Sequence, residues 1–110
     1  MAGSIPESDW KYMKGIKDHL LDVLCQQINR KSVAILNENK GSDYERYLKN
    51  LKHIQNSDRI ISECFDDWRR SSTMQKLMAL QYHELLIKEQ IEQLSDETQV
   101  KLNALKQLQR

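Results

Sequence analysis

The sequence predicts an all-α protein, and three observations carry that prediction. Among 110 residues there are only three Gly and one Pro. Leu, Lys, Glu, Gln and Arg together make up a large share of the chain, and their side chains, unbranched at Cβ, lose little freedom in a helix. Apolar residues also recur at three- and four-residue spacing over long stretches, the period of one helix face. The expected architecture is a long antiparallel helical hairpin, acting as a stalk, plus a small helical head. Residues 1–7 form the tail and cap, 8–70 the hairpin and 71–110 the head, together one structural domain.

The first helix opens at Ser4-Ile5-Pro6-Glu7, which reads as a capping box with Pro in the first turn, where an amide has no helical partner. Met1 to Ser4 are otherwise given no role and read as an expression remnant. From Ser8 to Leu36 the apolar positions Trp10, Met13, Ile16, Leu20, Leu21, Val23, Leu24, Ile28, Ile35 and Leu36 spread over a wide face. A face that broad touches two neighbours. The loop Asn37 to Gly41 breaks the helix, and Ser42-Asp43-Tyr44-Glu45 opens the second one. Its seam of Tyr44, Tyr47, Leu51, Ile54, Asp58, Ile61, Phe65 and Trp68 alternates by three and four, with Asp58 as the polar exception.

Each helix would run about 40 Å at 1.5 Å per residue, and the residues left over are too few to sheathe both apolar faces. Pairing of two hairpins into a four-helix bundle, by a two-fold axis, covers them. Beyond Arg70, Ser72-Thr73-Met74-Gln75 and Ser95-Asp96-Glu97-Thr98 open further helices. Met74 to Leu85, Ile87 to Leu94 and Val100 to Leu108 supply the apolar faces of the head.

The function classes narrow by what the chain lacks. It holds no HExxH, no Glu-x-x-His pair of the di-iron type, no P-loop and no Gly-rich dinucleotide loop, so no enzyme activity, cofactor or metal is expected. Asp18, His19, Asp22 and Cys25 could face one another along a helix, but without a second ligand cluster they read as a solvated edge. Cys25 and Cys64 lack ligand spacing and read as reduced thiols. A formal charge of +1 gives no basic face for phosphates. The longest apolar runs are four residues or fewer, as at Val33 to Leu36, far short of the roughly 20 of a membrane span, and a cytoplasmic protein is expected.

Five residues stand out as candidates for interaction. Asp58 is a carboxylate at a seam position, where a polar group can set register and oligomeric state. Asp66 and Arg70 stand at the i,i+4 spacing of a helical ion pair. Trp68, flanked by Arg69 and Arg70, has the composition of an interface hot spot, and its place in the heptad run makes it the anchor of head on stalk. The reading that follows is a non-enzymatic helical interaction module or regulator, working as a homodimer and engaging another protein. The alternative is a small helical nucleic-acid-binding regulator with Asp96 to Leu108 as recognition helix, against which Asp96 and Glu97 would repel phosphates.

The order Phe65-Asp66-Asp67, an apolar helix through Leu77 and Leu80, then Glu84-Leu85-Leu86, Leu94 and Lys101-Leu102-Asn103-Ala104-Leu105 resembles the C-terminal half of the cyanobacterial fluorescence recovery proteins and their bacterial look-alikes. The resemblance covers Tyr44 to Leu105. It implies an all-helical dimer with a long-helix stalk and a small head, and a partner of the orange carotenoid protein type. The family places an aromatic, a His, an Asp and an Arg on the stalk for dimerisation or partner contact. The corresponding positions here hold Leu48, Leu51, Lys52 and Asp58.

Overall fold

The structure, a computed structural model, describes residues 5–108, and among these there is no strand. Five α-helices follow one another: α1 (Glu7–Leu36), α2 (Asp43–Phe65), α3 (Thr73–Tyr82), α4 (Lys88–Glu92) and α5 (Asp96–Leu108). A 3-10 turn, Arg70–Ser72, leads into α3. The chain is all-helical, and it measures 53 × 28 × 24 Å.

Ser4 and the expected tail before it lie outside the described residues. The N-cap position of α1 is Pro6, which offers no side-chain acceptor, and Trp10 N–H closes the first turn on the Pro6 carbonyl at 3.1 Å. At the other end, the loop to α2 is tied down by Arg46, with Lys49 pairing Glu38 at 2.6 Å beside it. The Arg46 guanidinium donates to the carbonyls of Glu38, Lys40 and Gly41 and pairs with Asp43 at 2.8 Å. Gly41 takes a left-handed φ of 76°, and the Ser42 hydroxyl caps α2 by accepting from Glu45 N–H at 3.1 Å. This fixed turn sends α2 back along α1.

The apolar core lies at the end of the hairpin away from that loop. Met13, Leu20 and Leu24 of α1 meet Cys64 and Phe65 of α2, Leu77, Ala79 and Leu80 of α3, and Leu85, Leu94 and Leu102 from the later segments. A second tie crosses there. Asp9, 1% exposed, accepts from Ser95 N–H at 2.8 Å, Ser95 Oγ at 2.7 Å and Thr98 Oγ1 at 2.6 Å, so the start of α1 closes the start of α5. The carboxylate thereby meets the positive end of the α5 dipole.

Nearer the loop the hairpin interior is mixed, with Ile35 of α1 buried but polar side chains along α2. The buried line of α2 is Ser57 and Cys64, with Asn50 half-buried one heptad earlier. His53 Nε2 sits 2.9 Å from the Ile28 carbonyl across the hairpin, and Ser57 Oγ donates to the His53 carbonyl at 2.7 Å. Ser32 Oγ and Asn50 Oδ1 are buried here with no hydrogen-bond partner among the described residues. The expected seam is therefore corrected. Ile54, Ile61 and Phe65 do turn inward, but Tyr44, Tyr47, Leu51 and Asp58 are exposed. The inward positions they were expected to hold belong to residues about a quarter-turn away.

Two helices also end earlier than their apolar patterns. The α2 pattern runs on to Trp68, yet the helix stops at Phe65, with Asp66 extended and Asp67 at a φ of 56°. The α3 pattern runs to Leu85, but the helix stops at Tyr82. His83 N–H then bonds to the Ala79 carbonyl at 3.0 Å and Leu85 N–H to the Leu80 carbonyl at 2.8 Å, with Glu84 between them at a φ of 58°. This is the reversed-turn closure that usually places Gly at the left-handed position. A Glu there carries the steric cost of its Cβ, so Glu84→Gly is expected to stabilise the fold by about 1 kcal/mol, net of the greater freedom Gly gives the unfolded chain. Urea denaturation of the variant beside the parent protein checks it, and a lower midpoint would count against this account of the turn.

Candidate functional site

The five residues singled out from the sequence do not form one site. Asp58 is exposed on the outer part of α2, and makes no ion pair among the described residues. It is thus not a buried seam carboxylate within the chain. Asp66 ends α2 and accepts from Ser62 Oγ at 2.6 Å, so the expected pair with Arg70 does not form. The helix has ended between them, and the i,i+4 geometry ends with it. Arg70 Nε instead donates to the Ile5 carbonyl at 2.9 Å, holding the segment before α1. Arg69 is paired with the exposed Asp67, Nε to Oδ1 at 2.7 Å.

Trp68 stands off the helix and half-buried. Its ring stacks on Phe65 at 5.7 Å between centroids, with Lys17 Nζ 5.5 Å above it, and it lies against the core cluster. It does so from the loop beyond Asp67, and not as the next residue of a heptad. Its Nε1 is buried with no partner among the described residues.

Nucleophiles and metal ligands are no more concentrated. Burial holds the Cys64 thiol up at about 11, with Glu63 adding to the shift, so it stays protonated and unreactive near neutral pH. His83 and Glu63 approach to 3.3 Å at the edge of a shallow hollow lined by Gln75, Met78, Ala79 and Tyr82. No group of three or more His, Cys, Asp or Glu that could hold a metal ion occurs among the described residues. The start of α5, which the nucleic-acid reading would present to a phosphate, is occupied by the Asp9 carboxylate. No described helix is long and apolar enough to cross a membrane.

The surface feature that stands out is apolar. Val33 and Leu36 near the end of α1, with Tyr44, Tyr47, Leu48 and Leu51 at the start of α2, are between 40% and 68% exposed. Tyr44 and Tyr47 stack at 6.3 Å. At about 100° per residue, Tyr44, Tyr47 and Leu51 stand some quarter-turn past the inward line Asn50, Ser57, Cys64. Val33 and Leu36 stand a quarter to a half-turn past the inward line Ile28, Ile35, in the same rotational sense. Because α1 and α2 run in opposite directions, one sense of rotation on each points to one side of the hairpin. The six side chains therefore make one band, with Leu48 at its outer edge. On that same side, farther from the loop, a groove of about 500 Å³ is lined by Asp22, Cys25, Gln26, Asn29, Arg30 and Val33.

The six side chains are contiguous and not singly scattered, which marks the band as a candidate interaction surface. The sequence held its signal in the run Tyr44, Tyr47, Leu51. What the sequence did not show is that α1 is covered by other residues, which leaves this run facing outward. Compared with protein-family models, curated proteins and solved structures, the chain matches none.

Proposed function

We propose that this protein is a non-enzymatic helical interaction module that works as a homodimer, with the α1–α2 hairpin as its stalk and the α3–α5 end as a head that engages another protein. The observation that carries the reading is the exposed apolar band at the loop end of the hairpin. Among the described residues nothing covers them, because the later helices pack at the opposite end around Leu77, Leu80 and Leu102. Two bands placed together remove both from water, and the result is a four-helix arrangement over the loop-end half.

Sedimentation equilibrium at micromolar concentration is expected to report twice the 13.0 kDa of one chain. Tyr47→Glu combined with Leu51→Glu sets charges in the apolar interface and is expected to raise the dissociation constant by at least about 100-fold. Circular dichroism should show the helices of that variant unchanged, since both positions are exposed in the single chain. A parent protein that stays a folded single chain under these conditions overturns the reading.

A further inference from the structure

The band has an internal symmetry that says how a second copy lies on it. Along α2 its residues are Tyr44, Tyr47, Leu48 and Leu51, spaced three, one and three, a palindrome about the bond between Tyr47 and Leu48. Along α1 they are Val33 and Leu36, a pair about its own midpoint. The contact of His53 with the Ile28 carbonyl sets the two helices level with each other. That level puts the two midpoints within about one residue of each other, roughly 1.5 Å along the axis. A single two-fold axis crossing both helices at this height satisfies both palindromes.

Resting on the homodimer reading above, we infer that the second copy docks antiparallel and tip to tip, with its loop pointing toward the body of the first and the two-fold axis beside Tyr47 and Leu48. In this arrangement Tyr44 lies opposite Leu51 of the second copy and Val33 lies level with Leu36. Tyr47 and Leu48 each meet their own counterpart across the axis. Every apolar side chain of the band then finds an apolar partner. The six side chains expose on the order of 600 Å² per copy, close to the roughly 800 Å² that each partner gives to a stable interface. The flanking Asn29 and Gln55 supply a polar rim.

The competing two-fold axis, parallel to the helices, would lay the hairpins face to face along their whole length. It would also bring Tyr44 near Leu36, so apolar contact alone does not separate the two. Charge does. Asp18, Asp22 and Asp58, all exposed, lie on this side of the hairpin beyond the band. With Arg30 beside Asp22 on the same side, the parallel axis still brings Asp22 of one copy level with Asp58 of the other, a local opposition of like charges. The tip-to-tip arrangement leaves all of them in water.

Shape and cross-linking test the arrangement. The axis lies about 10 Å from the loop tip at 1.5 Å per residue, so a tip-to-tip pair of 53 Å chains is roughly 85 Å long. Small-angle scattering of the parent protein is expected to show two chains and that elongated maximum dimension. In a Cys25→Ser background, Tyr47→Cys should form a disulfide-linked dimer on mild oxidation, because the two copies meet at the axis. Ser62→Cys, on the same side but far from the axis, should not. A two-chain mass with the length of one hairpin, or linking at Ser62→Cys and not at Tyr47→Cys, overturns the tip-to-tip arrangement while the homodimer stands. A one-chain mass overturns both.

Discussion

Asp9→Ala is expected to cost about 3 kcal/mol of stability, a large share of what a domain of this size has. The carboxylate is 1% exposed and accepts three hydrogen bonds, two from Ser95 and one from Thr98. Removing it leaves Ser95 N–H, an orphan amide at the start of α5, without an acceptor at a site closed to water. A buried donor left unpaired costs about 1–3 kcal/mol by itself, and bonds to a charged acceptor are at the strong end of the range. The α5 dipole loses the negative charge at its positive end as well. Only part of this is recovered locally, since Ser95 Oγ keeps Thr98 Oγ1 at 3.2 Å.

The conservative variant separates hydrogen bonding from packing. Asp9→Asn keeps one acceptor oxygen but turns an NH2 toward donors, and is expected to lose about half as much. Thr98→Val preserves shape and removes one donor, so its cost should be near 1 kcal/mol. In the double-mutant cycle of Asp9→Ala with Thr98→Val, urea denaturation is expected to show coupling of about 1 kcal/mol or more. Independent, additive effects would mean that the three bonds do not act as one clasp.

That clasp was the feature least legible in the sequence. Asp9 reads there as an ordinary first-turn acid, and Ser95 as the cap of its own helix; nothing along the chain announces that residues 86 and 89 positions apart share a proton acceptor. The helical class was legible because scarce Gly and Pro and sustained apolar periodicity are local properties. Gly41 and Ser42 were legible for the same reason, since a left-handed turn and a cap are read within four residues. Helix ends without Gly were not: Asp67 and Glu84 take left-handed backbone with side chains that rarely do so, and the apolar pattern continues past both.

The seam of α2 shows a subtler limit. Periodicity fixes which residues share a stripe, but not which neighbour the stripe meets. Here the inward stripe is partly polar, carrying Asn50, His53 and Ser57, while the more apolar Tyr44, Tyr47 and Leu51 face out. A reading that assigns the most apolar stripe to the core inverts the two. The inversion is what motivates the homodimer proposal, because a second copy seated on the outward apolar stripe would remove it from water. The Asp66–Arg70 pair does not form for the opposite reason: its spacing presumed a helix that had already ended.

Leu80→Ala is expected to be the most destabilising single truncation, at about 3–5 kcal/mol. The side chain is fully buried in a cluster fed by α1, α2, α3 and α5, and its own carbonyl receives Leu85 N–H to end α3. Neighbours held by four separate elements cannot all relax into the vacated space, so the cavity persists and adds to the lost transfer energy. At roughly 4–8 °C per kcal/mol for a chain of this size, the melting temperature should fall by about 15–30 °C. Leu51→Ala makes the informative contrast. Its side chain is 40% exposed, so its cost to a single chain should be under about 1 kcal/mol, while the loss of band area weakens the dimer. Melting followed across a 100-fold range of protein concentration tells the two apart, since a dimer ties stability to concentration. Leu80→Ala should lower the melting temperature at every concentration, whereas Leu51→Ala should flatten the concentration dependence. Equal effects from both would mean that Leu80 and Leu51 do not divide into a core position and an interface position.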